Sequence, residues 1–145
     1  MGEITEQAVR GASQLGVVVG RLRRRLREVP GTGDLTPAQV SVLDLLDKGG
    51  GASASDLAAI ERVRPQSMAA TLAELDEHGL IRRDPDPEDR RRQLVSLTAA
   101  GREVVQATRV AREEWLARAF QDRYTEAERR TVVEAIALLD RLTRL

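Results

Sequence analysis

The sequence predicts a mainly α fold with one small β-hairpin, and three observations carry that expectation. Apolar residues step by three or four from Ile4 to Val29 and again from Val104 to Leu142, the spacing of one helical stripe. Threonine or serine precedes the helical stretches at Thr36, Ser53, Thr98 and Thr125, where a helix needs a side chain to cap its free N–H groups. One stretch, Gln93-Leu94-Val95-Ser96-Leu97, alternates polar with apolar, and a charged turn separates it from the short β-like run Leu80-Ile81-Arg82.

Taken in order, Ile4, Ala8, Ala12, Leu15, Val18/Val19, Leu22 and Leu26 form the stripe of a first long helix, ended by Pro30-Gly31-Thr32-Gly33. Thr36 caps a second helix with Pro37 at its first position; Val40, Leu43, Leu45 and Leu46 give its buried face, and Gly49-Gly50-Gly51 stops it. Ser53 and Ser55 can cap a short third helix whose apolar face is Leu57, Ala58 and Ile60. Pro65 opens a fourth, lined by Met68, Leu72 and Leu75 and stopped by Gly79 in the left-handed conformation. Asp84-Pro85-Asp86-Pro87 cannot be helix interior, because proline lacks a donor and restricts the residue before it. The two short strands therefore make a hairpin with a long tip. Thr98 caps a long helix carrying Val104, Val105, Thr108, Ala111 and Trp115. Thr125 and Glu128 form the capping box of a last one, with the stripe Val132, Ala135, Leu139 and Leu142.

Composition narrows the function. The 145 residues suit one ordinary domain, and Lys+Arg and Asp+Glu are both 23, so any case for nucleic acid rests on where charges sit. The absence of Cys excludes a disulfide framework, a thiolate metal site and a thiol redox sensor. With His78 as the one histidine, a multi-histidine zinc site cannot be built from one chain. No apolar run approaches the ~20 residues needed to cross a bilayer, and residues Met1 to Arg10 carry acids where a secretory signal has an apolar core. The expected compartment is the cytoplasm, with no membrane partner and no cofactor.

Two short helices joined by a tight turn and followed by a two-stranded hairpin predict a winged helix-turn-helix with long N- and C-terminal dimerisation helices. The second helix of such a pair must be apolar on one side and small and polar on the other, to enter a groove about 12 Å wide. Between Pro65 and Glu77 the outward positions are Gln66, Ser67, Ala70, Thr71 and Glu74. The helix N-terminus adds free N–H groups and a partial positive charge that suit phosphate. At the hairpin tip, Arg90, Arg91 and Arg92 suit the negative potential of a narrow minor groove, and Asp89 can pair with Arg91 and stiffen the tip.

The runs Leu35-Thr36-Pro37-Ala38-Gln39, Ser55-Asp56-Leu57-Ala58, Leu75-Asp76-Glu77-His78-Gly79-Leu80-Ile81-Arg82-Arg83, Asp86-Pro87-Glu88-Asp89-Arg90-Arg91 and Leu97-Thr98-Ala99-Ala100-Gly101 together resemble the multiple antibiotic resistance regulator (MarR) family. The resemblance extends over nearly the whole chain, and its most specific part is the wing and its exit. It implies a homodimeric transcription regulator whose recognition helices enter successive major grooves of double-stranded DNA; the expected role is repressor or activator, with repressor the first choice. It assigns the minor-groove role to Arg91 and the recognition-helix roles to Arg64, Pro65, Gln66, Ser67 and Thr71. It also implies a small aromatic or anionic effector bound between the DNA-binding lobe and the dimer helices. Ala69-Ala70 depart from the basic or larger polar residues of many relatives, so fewer base contacts are expected from mid-helix. The expected division is 1–33 as an N-terminal dimerisation helix, 34–98 as the DNA-binding module and 99–145 as C-terminal dimerisation helices.

Plainer readings compete. Asp84, Asp86, Glu88 and Asp89 nearly cancel the tip arginines, which read alone as a solvated turn; the same acids lack the mid-loop Gly and closing Glu of a calcium loop. Arg21, Arg23, Arg24, Arg25 and Arg27 read as a solvated helix face before a phosphate or effector site. Trp115, Phe120 and Tyr124 read as packing where the last two helices meet, and His78 as a structural residue at a helix end. No arrangement supports catalysis, since Ser67 and His78 lie at opposite ends of one helix. The alternative class is a helical adaptor that keeps the winged-helix shape without binding DNA.

Overall fold

The structure is a computed structural model that describes residues 2–29 and 33–144. Among these residues the chain forms helices α1 (Glu6–Arg27), α2 (Pro37–Gly49), α3 (Ala54–Glu61) and α4 (Pro65–Glu77), then strands β1 (Ile81–Pro85) and β2 (Gln93–Leu97). Helices α5 (Ala99–Arg123) and α6 (Glu126–Asp140) follow, with a short 3₁₀ turn at Arg141–Arg144. The expected order of a long helix, three short helices, a hairpin and two long helices is the observed one. Pro30, Gly31 and Thr32, expected to end the first helix, lie outside the described residues; α1 closes at Glu28, whose N–H donates to the Arg25 carbonyl at 3.1 Å.

The cap residues form the bonds their chemistry predicts. Thr36 and Gln39 make a reciprocal capping box on α2, and Thr125 and Glu128 make one on α6. Ser53, not Ser55, caps α3, its hydroxyl accepting the Asp56 N–H at 3.1 Å. Left-handed Gly50 ends α2 with φ +76°, and Gly79 follows α4 with φ +69°, conformations that cost glycine little.

The core gathers where α2, α3, α4 and the hairpin meet. Val42, Leu43, Leu46, Leu57, Met68, Leu72, Leu75, Ile81, Val95, Leu97 and Val105 are all buried in one cluster. Ile60, expected on the apolar side of α3, is 59% exposed instead. An eight-residue helix seats only Leu57 and Ala58 against its neighbours and turns Ile60 away. The strands pair antiparallel from Ile81↔Leu97 to Pro85↔Gln93. β1 outlasts the predicted run because Pro85 lies on an edge strand, where its missing donor leaves no ladder partner unpaired. Ala52 adds a single rung on the far side of β2, exchanging N–H···O bonds with Val95 at 3.0 and 2.8 Å.

The Leu97-Thr98-x-x-Gly101 run closes the base of the hairpin. The Thr98 N–H donates to the Leu80 carbonyl at 3.1 Å, while the Thr98 hydroxyl donates to the Gly79 carbonyl at 2.6 Å and accepts the Gly101 N–H at 3.1 Å. A Cβ at position 101 would stand 2.1 Å from the Leu80 carbonyl oxygen, a backbone atom that cannot move aside. Two ion pairs then tie α5 to α2, Arg112–Asp44 at 3.2 Å and Arg109–Asp47 at 3.0 Å.

Helices α1 and α6 contain no buried residue. Val9, Val17, Val18, Val19 and Leu22 on the first, and Val133, Ile136, Leu138 and Leu139 on the second, are exposed. The expected α6 stripe is therefore uncovered within one protomer: only Val132 is half-buried, while Ala135, Leu139 and Leu142 face solvent. Phe120 and Tyr124 pack with ring centroids 5.7 Å apart, and Arg129 of α6 donates to the Tyr124 carbonyl at 2.6 Å, where the last two helices meet. Trp115 lines one groove with Phe120 and Tyr124 and with Leu22 and Arg25 of α1. Replacing Gly101 with Ala forces α5 off Leu80 and should cost about 1–3 kcal/mol, measured as a lower midpoint in thermal or denaturant unfolding.

Candidate nucleic-acid interface

The turn Arg62-Val63-Arg64 joins α3 to α4. Arg62 adopts φ +54°, and the Val63 N–H returns to the Ala58 carbonyl at 3.0 Å. A three-residue connection of this kind crosses two helices at the steep angle of a helix-turn-helix. Arg64 then stands at the N-cap of α4 with no side-chain cap bond, and Pro65 holds the first position. The other α-helices described here each have a Thr or Ser hydroxyl accepting from their first turn. The opening N–H groups of α4 are thus left for another acceptor.

Met68, Leu72 and Leu75 bury one side of α4, leaving Arg64, Pro65, Gln66, Ser67, Ala69 and Ala70 exposed on the other. Thr71 is half-buried and its hydroxyl donates to the Ser67 carbonyl at 3.0 Å, which leaves the oxygen able to act only as an acceptor toward a ligand. Lower on the helix, the Glu74 carboxylate accepts from the side-chain amide of buried Gln39. That amide carbonyl also closes the α2 capping box on the Thr36 N–H at 2.8 Å. One glutamine therefore fixes both the start of α2 and its angle to α4. His78 is a helix-end residue, its Nδ1 donating to the Glu74 carbonyl at 2.6 Å.

At the wing tip the aspartates serve the backbone. Asp86 accepts the Glu88 N–H at 2.9 Å, Asp89 accepts the Arg91 N–H at 3.0 Å, and Asp84 pairs with Arg82 at 3.1 Å. Asp89 thus stiffens the tip through the main chain of Arg91 and leaves its guanidinium alone. Arg90 and Arg91 are exposed, and neither forms an ion pair among the described residues. Arg92, expected to join them, lines one groove with both. Its guanidinium also turns back to α3, donating to Ser53 Oγ at 2.8 Å and Asp56 Oδ2 at 2.9 Å. On α1, Arg25 pairs with Glu28 at 2.9 Å within an exposed helix face.

Hydrogen bonding to Ser53, reinforced by the Arg92 charge, holds the Asp56 carboxyl below its ordinary value of 3.8. The Ser53-x-x-Asp56 spacing, a cap residue with an acid three positions on, carries a signal for this cluster in the sequence. Its partner Arg92 carries none, since three consecutive arginines look alike until the fold of the tip is known. Gln39 escaped for a similar reason: polar residues are seldom buried, and its second partner lies 35 positions away.

A helix pair with a three-residue turn, an uncapped polar-sided second helix and a basic wing define a winged helix-turn-helix transcription regulator. The sequence profile of the MarR family matches residues 35–92. An HTH-type transcriptional regulator of Mycobacterium leprae is 42% identical over 105 residues, 72% of this chain and 73% of that protein. A transcriptional regulator of Pseudomonas aeruginosa, solved by crystallography, superposes with a TM-score of 0.82 at 37% identity, covering 98% of this chain and 99% of that one. S. aureus MepR, solved as a mutant bound to an oligodeoxyribonucleotide, shares the fold with a TM-score of 0.66 at 20% identity over 97% of this chain and 99% of its own. The chain belongs to the MarR family.

The lowered Asp56 value gives a stability contribution that is present above pH 3.8 and lost as pH falls through the folded value. By NMR titration Asp56 should show a midpoint under 3.8, and Ser53→Ala and Arg92→Ala should each raise it.

Proposed function

We propose that two copies of this chain pair through α1 and α6 and bind a pseudo-palindromic operator as a repressor in the cytoplasm. Each α4 enters a major groove, with half-sites about 34–36 Å apart. Gln66, Ser67 and Thr71 meet base edges and phosphates, Arg64 and Pro65 frame the uncapped helix start, and Arg90 and Arg91 reach the adjacent minor groove. The observation that carries this reading is the division of charge in the wing. Its aspartates accept local backbone N–H groups or pair with Arg82, so Arg90 and Arg91 keep exposed guanidinium groups with no ion-pair partner among the described residues.

Pairing through the outer helices is supported by their apolar residues. Val18, Leu22, Ile136 and Leu139 lie at helical spacing and have no cover within the protomer. A small aromatic or anionic effector is supported by a cleft of about 240 Å³ between α1, α2 and α5. Arg23, Arg27, Lys48 and Arg112 outnumber Asp44 and Glu61 in its lining, beside Leu26, Val40 and Leu45. A ligand there touches both the helix that carries the dimer stripe and the helix that supports α4, so it can shift the spacing of the two recognition helices. A coupling of roughly 1–3 kcal/mol is enough for release.

Fluorescence anisotropy against DNA selected from the genome tests the reading. Raising salt from about 50 to about 200 mM should weaken binding on the order of 10³-fold or more. Arg91→Ala should cost on the order of tenfold and lower the salt slope by about one. An adaptor that does not use DNA would select no fragment and would be indifferent to Arg90→Ala with Arg91→Ala. In light scattering, Leu139→Glu should halve the particle mass, and the same variant should lose most operator affinity.

A further inference from the structure

The wing is poorly anchored by packing. Ile81, Val95 and Leu97 are buried at its base, but the rest of β1 is exposed and Gln93 and Leu94 are at most half-buried. The Ala52 rung also stops at Val95. A two-stranded hairpin that projects beyond its apolar contacts is marginal and free to swing. Two side-chain ties cross from this outer part of the hairpin to the helices: Arg83 to Asp76 of α4, at a loose 3.7 Å, and Arg92 to α3.

Arg92 sits where the tip closes. Its N–H donates to the Asp89 carbonyl at 2.9 Å and its carbonyl accepts the Asp86 N–H at 3.0 Å, so its backbone completes the loop that carries Arg90 and Arg91. Its side chain then reaches 36 positions back in sequence, one terminal nitrogen donating to both Ser53 and Asp56. Those two acceptors are themselves joined, since Ser53 Oγ caps the Asp56 N–H. The α3 dipole adds to the attraction by favouring an anion in its first turn, where Asp56 lies.

We propose that Arg92 is the positioning residue of the wing: its guanidinium, latched across Ser53 and Asp56, sets the attitude in which Arg90 and Arg91 meet DNA. This rests on the reading that the wing contacts DNA. The pair is too exposed, at 47% and 55% of the side chains, to matter much for folding. Its effect is on order: a wing already held in place pays less conformational entropy on binding than one that must be captured. Asp56 is thereby assigned a favourable role in binding a polyanion, against the bare electrostatic expectation that removing a negative charge tightens it.

The test uses the full-length protein, a labelled duplex isolated by genomic selection with the wild type, and affinities measured across a salt series. The latch predicts that Arg92→Ala and Asp56→Asn each weaken binding about threefold to tenfold and that the double variant is no worse than either. The salt slope stays unchanged, thermal midpoints stay close to wild type, and fast backbone motion at residues 88–91 rises in NMR relaxation. Exchanging the charges, Arg92→Asp with Asp56→Arg, should recover most of the loss. The proposal is overturned if Asp56→Asn binds as tightly as wild type or tighter, or if Arg92→Ala lowers the salt slope by about one, the mark of a direct phosphate contact. Failure to select any duplex would instead sink the DNA-binding reading itself.

Discussion

The backbone carbonyl of Leu80 is the point at which the module is joined. It receives the Thr98 N–H at 3.1 Å and lies so close to the first turn of α5 that only a glycine fits at position 101. Leu80 also follows directly on Gly79, whose carbonyl takes the Thr98 hydroxyl at 2.6 Å. The end of α4, the base of the hairpin and the beginning of α5 therefore share one small patch of main chain. Helix α4, the wing and α5 cannot move independently there. A change in the angle of α5 has a short covalent and hydrogen-bonded route to α4.

Around that joint the arginines divide into distinct tasks. Arg109 and Arg112 bind α5 to α2 through Asp47 and Asp44, and Arg83 reaches from β1 to Asp76 on α4. Arg92 is turned toward the start of α3. Arg90 and Arg91 stay uncommitted at the tip, because the neighbouring aspartates accept backbone N–H groups and Asp84 pairs with Arg82. A chain whose formal charges cancel overall can still present exposed guanidinium groups that no carboxylate pairs. Mean composition conceals this, since it counts charges without their partners.

The outer helices pose the opposite problem. Their hydrogen bonds are complete within each helix, yet Val17, Val18, Ile136 and Leu138 have nothing to pack against in a single copy. Such stripes are stable in water only when another apolar surface covers them. The core of α2, α3, α4 and the hairpin is built within one copy, and most of the exposed large apolar residues lie toward the two ends of the chain, with Ile60 and Val63 exposed in between.

Much of this was determined by sequence alone, because the signals were local. Thr36, Ser53, Thr98 and Thr125 name their helix starts, since a cap bond spans three residues and needs no tertiary partner. Gly79 and the strand Gln93–Leu97 were legible for the same reason, and so was the ordered string of motifs that marks the family. Tertiary structure decided what depends on distant neighbours. It turned Ile60 outward, buried Gln39 beneath Glu74, brought Trp115 to α1 and paired Arg92 with Asp56. Three adjacent arginines are chemically identical in a string; only the fold of the tip and the placement of α3 separate the one that pairs with Asp56 from the two that form no ion pair among the described residues.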